Sequence, residues 1–417
     1  MRIAGVARRN SYRSNVIDRA LASSRTVAVV GPVAGLDEDR IRAVLQAAVA
    51  AAPDSRIALH PDGDAHTWEY RSAPAMTVTK RQCDTADLGL LLTEIYNRDD
   101  RRTPLDVFIC DDYLVVDYSH GLGDGFLGLM LLRTLAGGDV EHAAALAKAL
   151  PPHALWTAIR RHFGSHPAKI REVLQLRKNN RVPDHGRHDG QPVGQWQASM
   201  RCVTAHMDAD TLGRVRQWAS ANAAGSTTAS ITTALWMAAL RAEGATLDER
   251  VMMLVNCRRY LGAEHLDANG NFAFAIPIPL SAPPPEISRR VRQVTESGWP
   301  LAILAVAELK AKLRRQNTSG QDGSTRASAR MRLAVSDLGR LKMFEALPWV
   351  EGRQPPQVTG YLETDDANAV ALIVTELMGG RTFTASFSTE LIEPALIERA
   401  LGRMCTDPIG LLEPAET

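Results

Sequence analysis

The sequence predicts an α/β chain folded as two similarly built lobes with a site in the concave space between them. Three observations carry that expectation. Each half opens on a strand followed by an amphipathic helix, 26–30 with a helix from Asp37 and 203–207 with a helix from Asp208. Each half then alternates helices with β-rich runs, although no internal repeat is visible. Between them, 158–190 is basic, polar and turn-rich, which reads as an exposed linker and divides the chain into 1–190 and 191–417. With 417 residues, 45% of them hydrophobic, the chain is long enough to fill two cores.

Residues 1–24 are polar and rich in Arg and Ser. Thr26-Val27-Ala28-Val29-Val30 is apolar, mostly β-branched, and stops at Gly31-Pro32, as a strand does before a turn. Beyond Asp37, Ile41, Val44, Leu45, Ala48 and Val49 recur at helical spacing until Pro53. The run 56–60 and the residues around 68–70 read as further strands, split by Pro61-Asp62-Gly63-Asp64. A short amphipathic helix follows over 84–95, then a charged loop over 97–102. Val107-Phe108-Ile109, the turn Asp111-Asp112 and 113–118 make a hairpin.

That hairpin ends in Ser119-His120-Gly121-Leu122-Gly123-Asp124-Gly125. A histidine delivered by a rigid strand into a glycine-rich turn can be held in one orientation, which general-base chemistry needs. A His-x-x-x-Asp-Gly string arises by chance in about 5% of chains of this composition, so its context carries the weight. The strand before it and the helix-like apolar spacing of 126–132 after it supply that context. A core histidine in an ordinary strand-to-helix turn is the competing reading.

A helix is expected over 141–150, broken by Pro151-Pro152. After the strand 203–207, the helix from Asp208 carries Leu212, Val215, Trp218 and Ala219, and Thr227 or Thr228 caps a second helix that is apolar on nearly every face. The strand 251–255 delivers Arg258 and Arg259 at its end, and arginines there need anionic partners if they are buried. Asn269-Gly270-Asn271 turns into a strand over 272–280; helices span 287–314, interrupted at Pro300. A low-complexity loop over 316–328 leads to 333–341, strands over 357–364, 369–377 and 382–388, a helix over 394–404 and a frayed tail after Asp407.

Composition narrows the function. Lys+Arg 48 against Asp+Glu 47 gives a net charge of +1, and aromatic residues make up 5%, so neither a basic field nor base-stacking platforms point to nucleic acid. No apolar run approaches a membrane span and no secretory leader is visible, so a cytoplasmic location is expected. The five cysteines lack C-x-x-C spacing, which argues against a disulfide framework and a metal site, and Cys110 and Cys257 read as small buried hydrophobes. A neutral His120 imidazole could take a proton from a hydroxyl or amine whose heteroatom then attacks an activated carbonyl such as a thioester. Asp124, beyond a glycine turn, would stiffen that turn, paired with Arg258 or Arg259. Asn271, Ser336 and Ser388 are candidate substrate contacts, with turn or strand polar residues as the competing reading.

The 119–125 string resembles the His-His-x-x-x-Asp-Gly signature of the chloramphenicol acetyltransferase-like superfamily, which includes condensation domains of peptide synthetases, BAHD acyltransferases and alcohol acetyltransferases. The run 36–45 with Pro53 resembles the first helix of that family. Val255-Asn256-Cys257-Arg258-Arg259-Tyr260-Leu261 with Gly270-Asn271-Phe272 resembles its second-half strand and Gly-Asn-Phe turn, and Val335-Ser336-Asp337-Leu338-Gly339-Arg340-Leu341 is similar to the Ser-Asn-Leu-Gly-Arg element of alcohol acetyltransferases. The resemblance spans nearly the whole chain. It implies a two-lobed, pseudo-dimeric fold with a channel between the lobes, His120 as catalytic base, and Asp124 and Gly125 as structural motif residues.

It also implies no bound cofactor: an acyl-coenzyme A or a phosphopantetheinyl acyl or peptidyl carrier protein would be the co-substrate, entering opposite a small-molecule or natural-product acceptor. Ser119 stands where the first motif His would be, as in BAHD-type members, and the BAHD Asp-Phe-Gly-Trp-Gly element is absent, which favours a freestanding bacterial-style acyltransferase. Lys310, Lys312, Arg314, Arg315, Arg326 and Arg330 could meet a nucleotide phosphate or an acidic carrier protein, with a solvated helix end as the other reading. The alternative function is a non-acylating cyclase or carrier-docking module in natural-product biosynthesis.

Overall fold

The computed structural model describes residues 11–138, 143–179, 192–279, 282–313, 325–326, 328 and 330–413. Two mixed sheets form the two lobes. The first runs in the order Gln357–Tyr361, Arg25–Gly31, Tyr113–Ser119, Leu105–Cys110, Met76–Lys80. In the second, Ala273–Pro279 is followed by Leu247–Asn256, Met331–Arg340, Ala369–Leu377, Gly380–Ser388 and Met200–Met207. Each lobe's sheet receives the predicted opening pair of strand and helix, Arg25–Gly31 with Glu38–Ala51 and Met200–Met207 with Ala209–Asn222. Asp37, Asp208 and Thr227 cap their helices as expected, each side chain accepting a backbone N–H three residues on.

Period-two alternation puts both faces of the first sheet to use. Ala28 and Val30 enter the core under Glu38–Ala51 and Gly125–Gly137, whereas Val27 and Val29 face a separate core shared with Leu88–Asn97, Trp196, Met200 and Cys202. That second face is where the lobes meet. Thr93 Oγ takes the N–H of Cys202 (2.8 Å), and Thr359 shares a hydroxyl hydrogen bond with Thr384 across the two sheets (2.6 Å).

Several expectations change. The exposed linker over 158–190 is instead two helices as far as it is described, Ala154–Gly164 and Lys169–Asn179, because an apolar minority recurs at helical spacing beneath the charges. Leu155, Ala158 and Ile159 pack with Cys257, Leu301 and Leu304, while Val173 and Leu176 belong to the second lobe's core. In the other direction, Gln357–Tyr361 crosses back to complete the first sheet, antiparallel to Arg25–Gly31. The chain is therefore exchanged between lobes on both sides of residue 190. The run 56–60 is a 3-10 turn, Arg56–Ala58, whose backbone bends so that Arg56 points inward; Leu59 bridges Tyr70. Met76–Lys80, too short to show a pattern, is an additional strand.

The helix break falls at left-handed Gly298 (φ 77°), with Pro300 in the first turn of Trp299–Leu313. The expected helix over 141–150 shortens to Ala144–Ala147, and the chain after Asp407 forms a further turn of helix, Pro408–Leu412. The 1–10 segment, 183–190, most of the 316–328 loop, and the side chains of Lys312, Arg314, Arg315 and Arg326 lie outside what is described. Among the described residues no helix is long and apolar enough to cross a membrane.

Candidate active site

Strand Tyr113–Ser119 stops in a short 3-10 turn, His120–Leu122, and Asp124 then caps helix Gly125–Gly137 by accepting the N–H of Phe126 (3.2 Å). All three carbonyls of the His120–Leu122 turn are held by side chains. Asn271 Nδ2 donates to His120 O (2.8 Å), while Arg56 donates from one terminal nitrogen to Gly121 O (2.7 Å) and from Nε to Leu122 O (2.7 Å). A backbone pinned this way presents its side chain in one place.

Behind the turn sits Asp18, fully buried. Its carboxylate accepts from Arg56 (2.8 Å), the Tyr12 hydroxyl (2.6 Å) and Asn271 Nδ2 (2.9 Å). Burial opposes the charge on Arg56, but Asp18 and Tyr12 beside it together outweigh that and hold the guanidinium above its ordinary pKa. Burial likewise pushes the Tyr12 phenol up. Neither Asp18 nor Arg56 was singled out from the sequence. The one local signal for Arg56 is its place at the head of the apolar run Ile57-Ala58-Leu59.

The second lobe grips the other end of the turn. Arg258, 1% exposed, donates to both oxygens of Asp124 (2.8 and 3.0 Å) and to the carbonyls of Ala268 and Gly270 (2.7 Å each). Its guanidinium lies 5.0 Å from the centre of the Phe126 ring, and Asp124 also takes the N–H of Phe272 (3.0 Å). Asp124 thus spends its oxygens on a helix cap, a backbone amide and one arginine. Of the two arginines named from the sequence, Arg258 is the partner and Arg259 is exposed.

His120 is half-buried. Its backbone N–H donates to Ser24 O (2.8 Å), and its ring Nδ1 is buried with no hydrogen-bond partner among the described residues. Ser119 does not substitute for a second imidazole: its hydroxyl donates to Ala22 O (2.7 Å) and accepts the Gly121 N–H (3.3 Å). Packing explains the glycine at Gly121, where a Cβ would come within about 3 Å of the Ala22 Cα, the Asp18 carbonyl and the Trp68 ring. It does not explain Gly125, where a Cβ would meet nothing within 4 Å, so the start of this helix borders open space.

The remaining candidates lie elsewhere. Asn271 is 3% exposed and turns its amide N–H groups into the His120 turn and Asp18, so it positions the turn. Ser388 is fully buried at the end of strand Gly380–Ser388, sharing a hydrogen bond with Ser199 (2.7 Å) and accepting the N–H of Glu390 (3.3 Å). Its hydroxyl is committed to structure. Ser336 is half-buried on Met331–Arg340, opposite Ile373. Its neighbour Asp337 accepts the Gly339 N–H (2.8 Å) and lies 3.7 Å from buried Arg381, and burial raises its carboxyl pKa. Arg381 lines two cavities of about 570 and 530 Å³ in the second lobe and Asp337 lines the smaller, whereas neither Ser336 nor His120 lines either. Among the described residues no group of three or more His, Cys, Asp or Glu side chains is placed to hold a metal ion.

No protein-family profile matches the chain, and no curated protein sequence matches it. Solved structures do. The trichothecene 15-O-acetyltransferase TRI3 from Fusarium sporotrichioides superposes with a TM-score of 0.61 at 12% identity, covering 94% of both chains. The condensation domain of the monacolin K polyketide synthase MokA gives 0.59 at 13%, covering 96% of each. TRI101 from F. sporotrichioides, solved with coenzyme A and T-2, gives 0.55 at 15%, covering 95% of this chain and 97% of its own. At these identities the likeness is one of fold, and it runs from end to end.

Proposed function

We propose that this chain, whose two-lobed fold is that of the chloramphenicol acetyltransferase-like superfamily, is an acyltransferase that moves an acyl group from a thioester to a hydroxyl or amine of a small-molecule or natural-product acceptor. His120 is its general base. The observation that supports this most is a contrast within one turn: the backbone of His120–Leu122 is clamped by Asn271 and Arg56, while the His120 Nδ1 has no hydrogen-bond partner among the described residues. A purely structural histidine would ordinarily spend its ring nitrogens on the protein.

In the reaction, the imidazole takes the proton from the acceptor O–H or N–H as that heteroatom attacks the thioester carbonyl. Collapse of the tetrahedral adduct breaks the C–S bond, and the imidazolium returns the proton to the departing thiolate. Asp124 and Arg258 are positioning residues, holding the turn against the second lobe. The donor is an acyl-coenzyme A or an acyl or peptidyl carrier protein, because both present the same phosphopantetheine arm.

The test is thiol release from a panel of acyl thioesters on coenzyme A and on carrier protein, with mixed alcohol and amine acceptors. The expected result is turnover that falls about 10²–10⁴-fold in His120→Ala, with the circular dichroism spectrum unchanged. Release that ignores His120 would remove it as the base, and no release from either donor class would favour the non-acylating reading, a cyclase or carrier-docking module.

A further inference from the structure

We infer that Cys83 and Cys110 are a redox modification site, a thiol pair that a low-molecular-weight disulfide such as oxidised glutathione converts to an intramolecular disulfide. The two Sγ atoms are in direct contact (2.6 Å). Backbone pairing creates that contact. Met76–Lys80 runs parallel to Leu105–Cys110 with Lys80 opposite Ile109, and the ladder continues one step further, the Arg81 N–H donating to Ile109 O (2.9 Å). The chain then turns over the end of the strand and lays Cys83 on Cys110. The other buried thiols have different neighbours: Cys202 approaches the Ser386 hydroxyl and Cys257 the Val255 carbonyl.

The pair is asymmetric in a way that orders the steps. Cys83 is half-buried and reachable, whereas Cys110 is fully buried. Burial raises both thiols, furthest at Cys110, and nearby Arg81 favours the thiolate at each. The Cys83 thiolate attacks one sulfur of glutathione disulfide, breaking its S–S bond and releasing one glutathione thiolate. Cys110 then loses its proton and attacks the Cys83 sulfur, releasing the second. Two protein thiols are oxidised, one glutathione disulfide is reduced to two thiols, and the two protons end on them.

The segment enclosed contains helix Leu88–Asn97, which joins the lobes through Thr93 to Cys202 and through Asn97 Nδ2 to Met200 O (2.8 Å). Cys110 itself pairs with Tyr113 across the hairpin that leads to His120. Oxidation therefore fastens an interlobe helix to the sheet that carries the candidate base. This inference stands independently of the acyltransferase reading.

The test is incubation of the full-length protein with oxidised glutathione, followed by denaturing alkylation and non-reducing peptide mapping. Two of the five thiols should disappear together, with a cross-linked Cys83–Cys110 peptide that dithiothreitol releases. Cys110→Ala should accumulate glutathione on Cys83, and Cys83→Ser should keep its remaining thiols free. Should Cys110→Ala not fold, Cys83→Ser, at the more exposed position, decides alone. Five retained thiols, a different cross-link, or glutathionylated Cys83 without cross-linking in the wild type would overturn the inference.

Discussion

Arg56 and Arg258 invite comparison, because each is buried, each pairs with a buried aspartate, and each donates to two backbone carbonyls, Arg56 in the His120 turn and Arg258 at Ala268 and Gly270. Their partners differ. Among the described residues Asp124 has Arg258 as its one ionic partner and otherwise accepts backbone N–H groups, from Phe126 and Phe272. Asp18 keeps the Tyr12 hydroxyl and the Asn271 amide if Arg56 is removed. The first pair spans the two halves of the chain, and the second lies within the first half. A charge with one partner is fragile, whereas a charge in a network is buffered.

The largest expected effect follows from that difference. Arg258→Ala leaves the Asp124 carboxylate buried beside apolar Phe126 and Phe272 and takes a donor from the Ala268 and Gly270 carbonyls, so it should cost about 4 kcal/mol, read as a lower urea midpoint. It should also abolish His120-dependent turnover. Arg56→Ala should cost about 3 kcal/mol, because Asp18 retains two neutral donors, yet it unpins Gly121 and Leu122 and should still reduce kcat. If Arg56→Ala proves the more destabilising in the same urea titration, the buffering argument fails and the first-lobe network is the true keystone.

The two pairs also differ in how far the sequence revealed them. Arg258 could be named because it stands at the end of an apolar strand, and Asp124 because it belongs to a short motif; the structure joins the two. Asp18 sits in a polar N-terminal stretch with no hydrophobic pattern to mark it as buried, and Arg56 donates to carbonyls more than sixty residues away, which no local pattern encodes. The same limit explains the helices over 154–179. Their charges dominate any window average, and the few apolar residues that bury against the second lobe become decisive only once the partner surface exists. Strands with long β-branched runs, such as Arg25–Gly31 and Ala369–Leu377, were legible because burial on both faces leaves no polar alternation to misread. Asn271 and Ser388 were legible as polar residues but not as buried ones, so their hydroxyl and amide chemistry was assigned outward when it points inward.

Tyr12 sharpens the buffering argument through pH. Its phenol donates to Asp18, and burial holds its pKa above the ordinary tyrosine value. Tyr12→Phe should cost about 1.5 kcal/mol at neutral pH, since one donor to a buried carboxylate is lost. A raised folded pKa means the unfolded chain releases the phenolic proton first as pH climbs, so this stabilisation is complete below about pH 10 and lost above it. The gap between wild type and Tyr12→Phe in urea midpoint should therefore narrow above pH 10. A constant gap would detach Tyr12 from the network.

Ser119→Ala should have the smallest effect and separates holding the turn from sharing in its chemistry. The hydroxyl meets Ala22 O and the Gly121 N–H, both backbone groups, and no bond joins it to the His120 ring. Losing it leaves one half-buried carbonyl, that of Ala22, short of a donor, which costs about 1 kcal/mol, while Asn271, Arg56 and Arg258 still fix the turn. Turnover should stay within about threefold of wild type, since a factor of ten would need about 1.4 kcal/mol at the transition state. A hundredfold loss in kcat with an unchanged urea midpoint would mean that the serine takes part in proton transfer with His120. The division of labour would then change: the arginine pairs would hold the backbone, and positions 119 and 120 together would handle the proton.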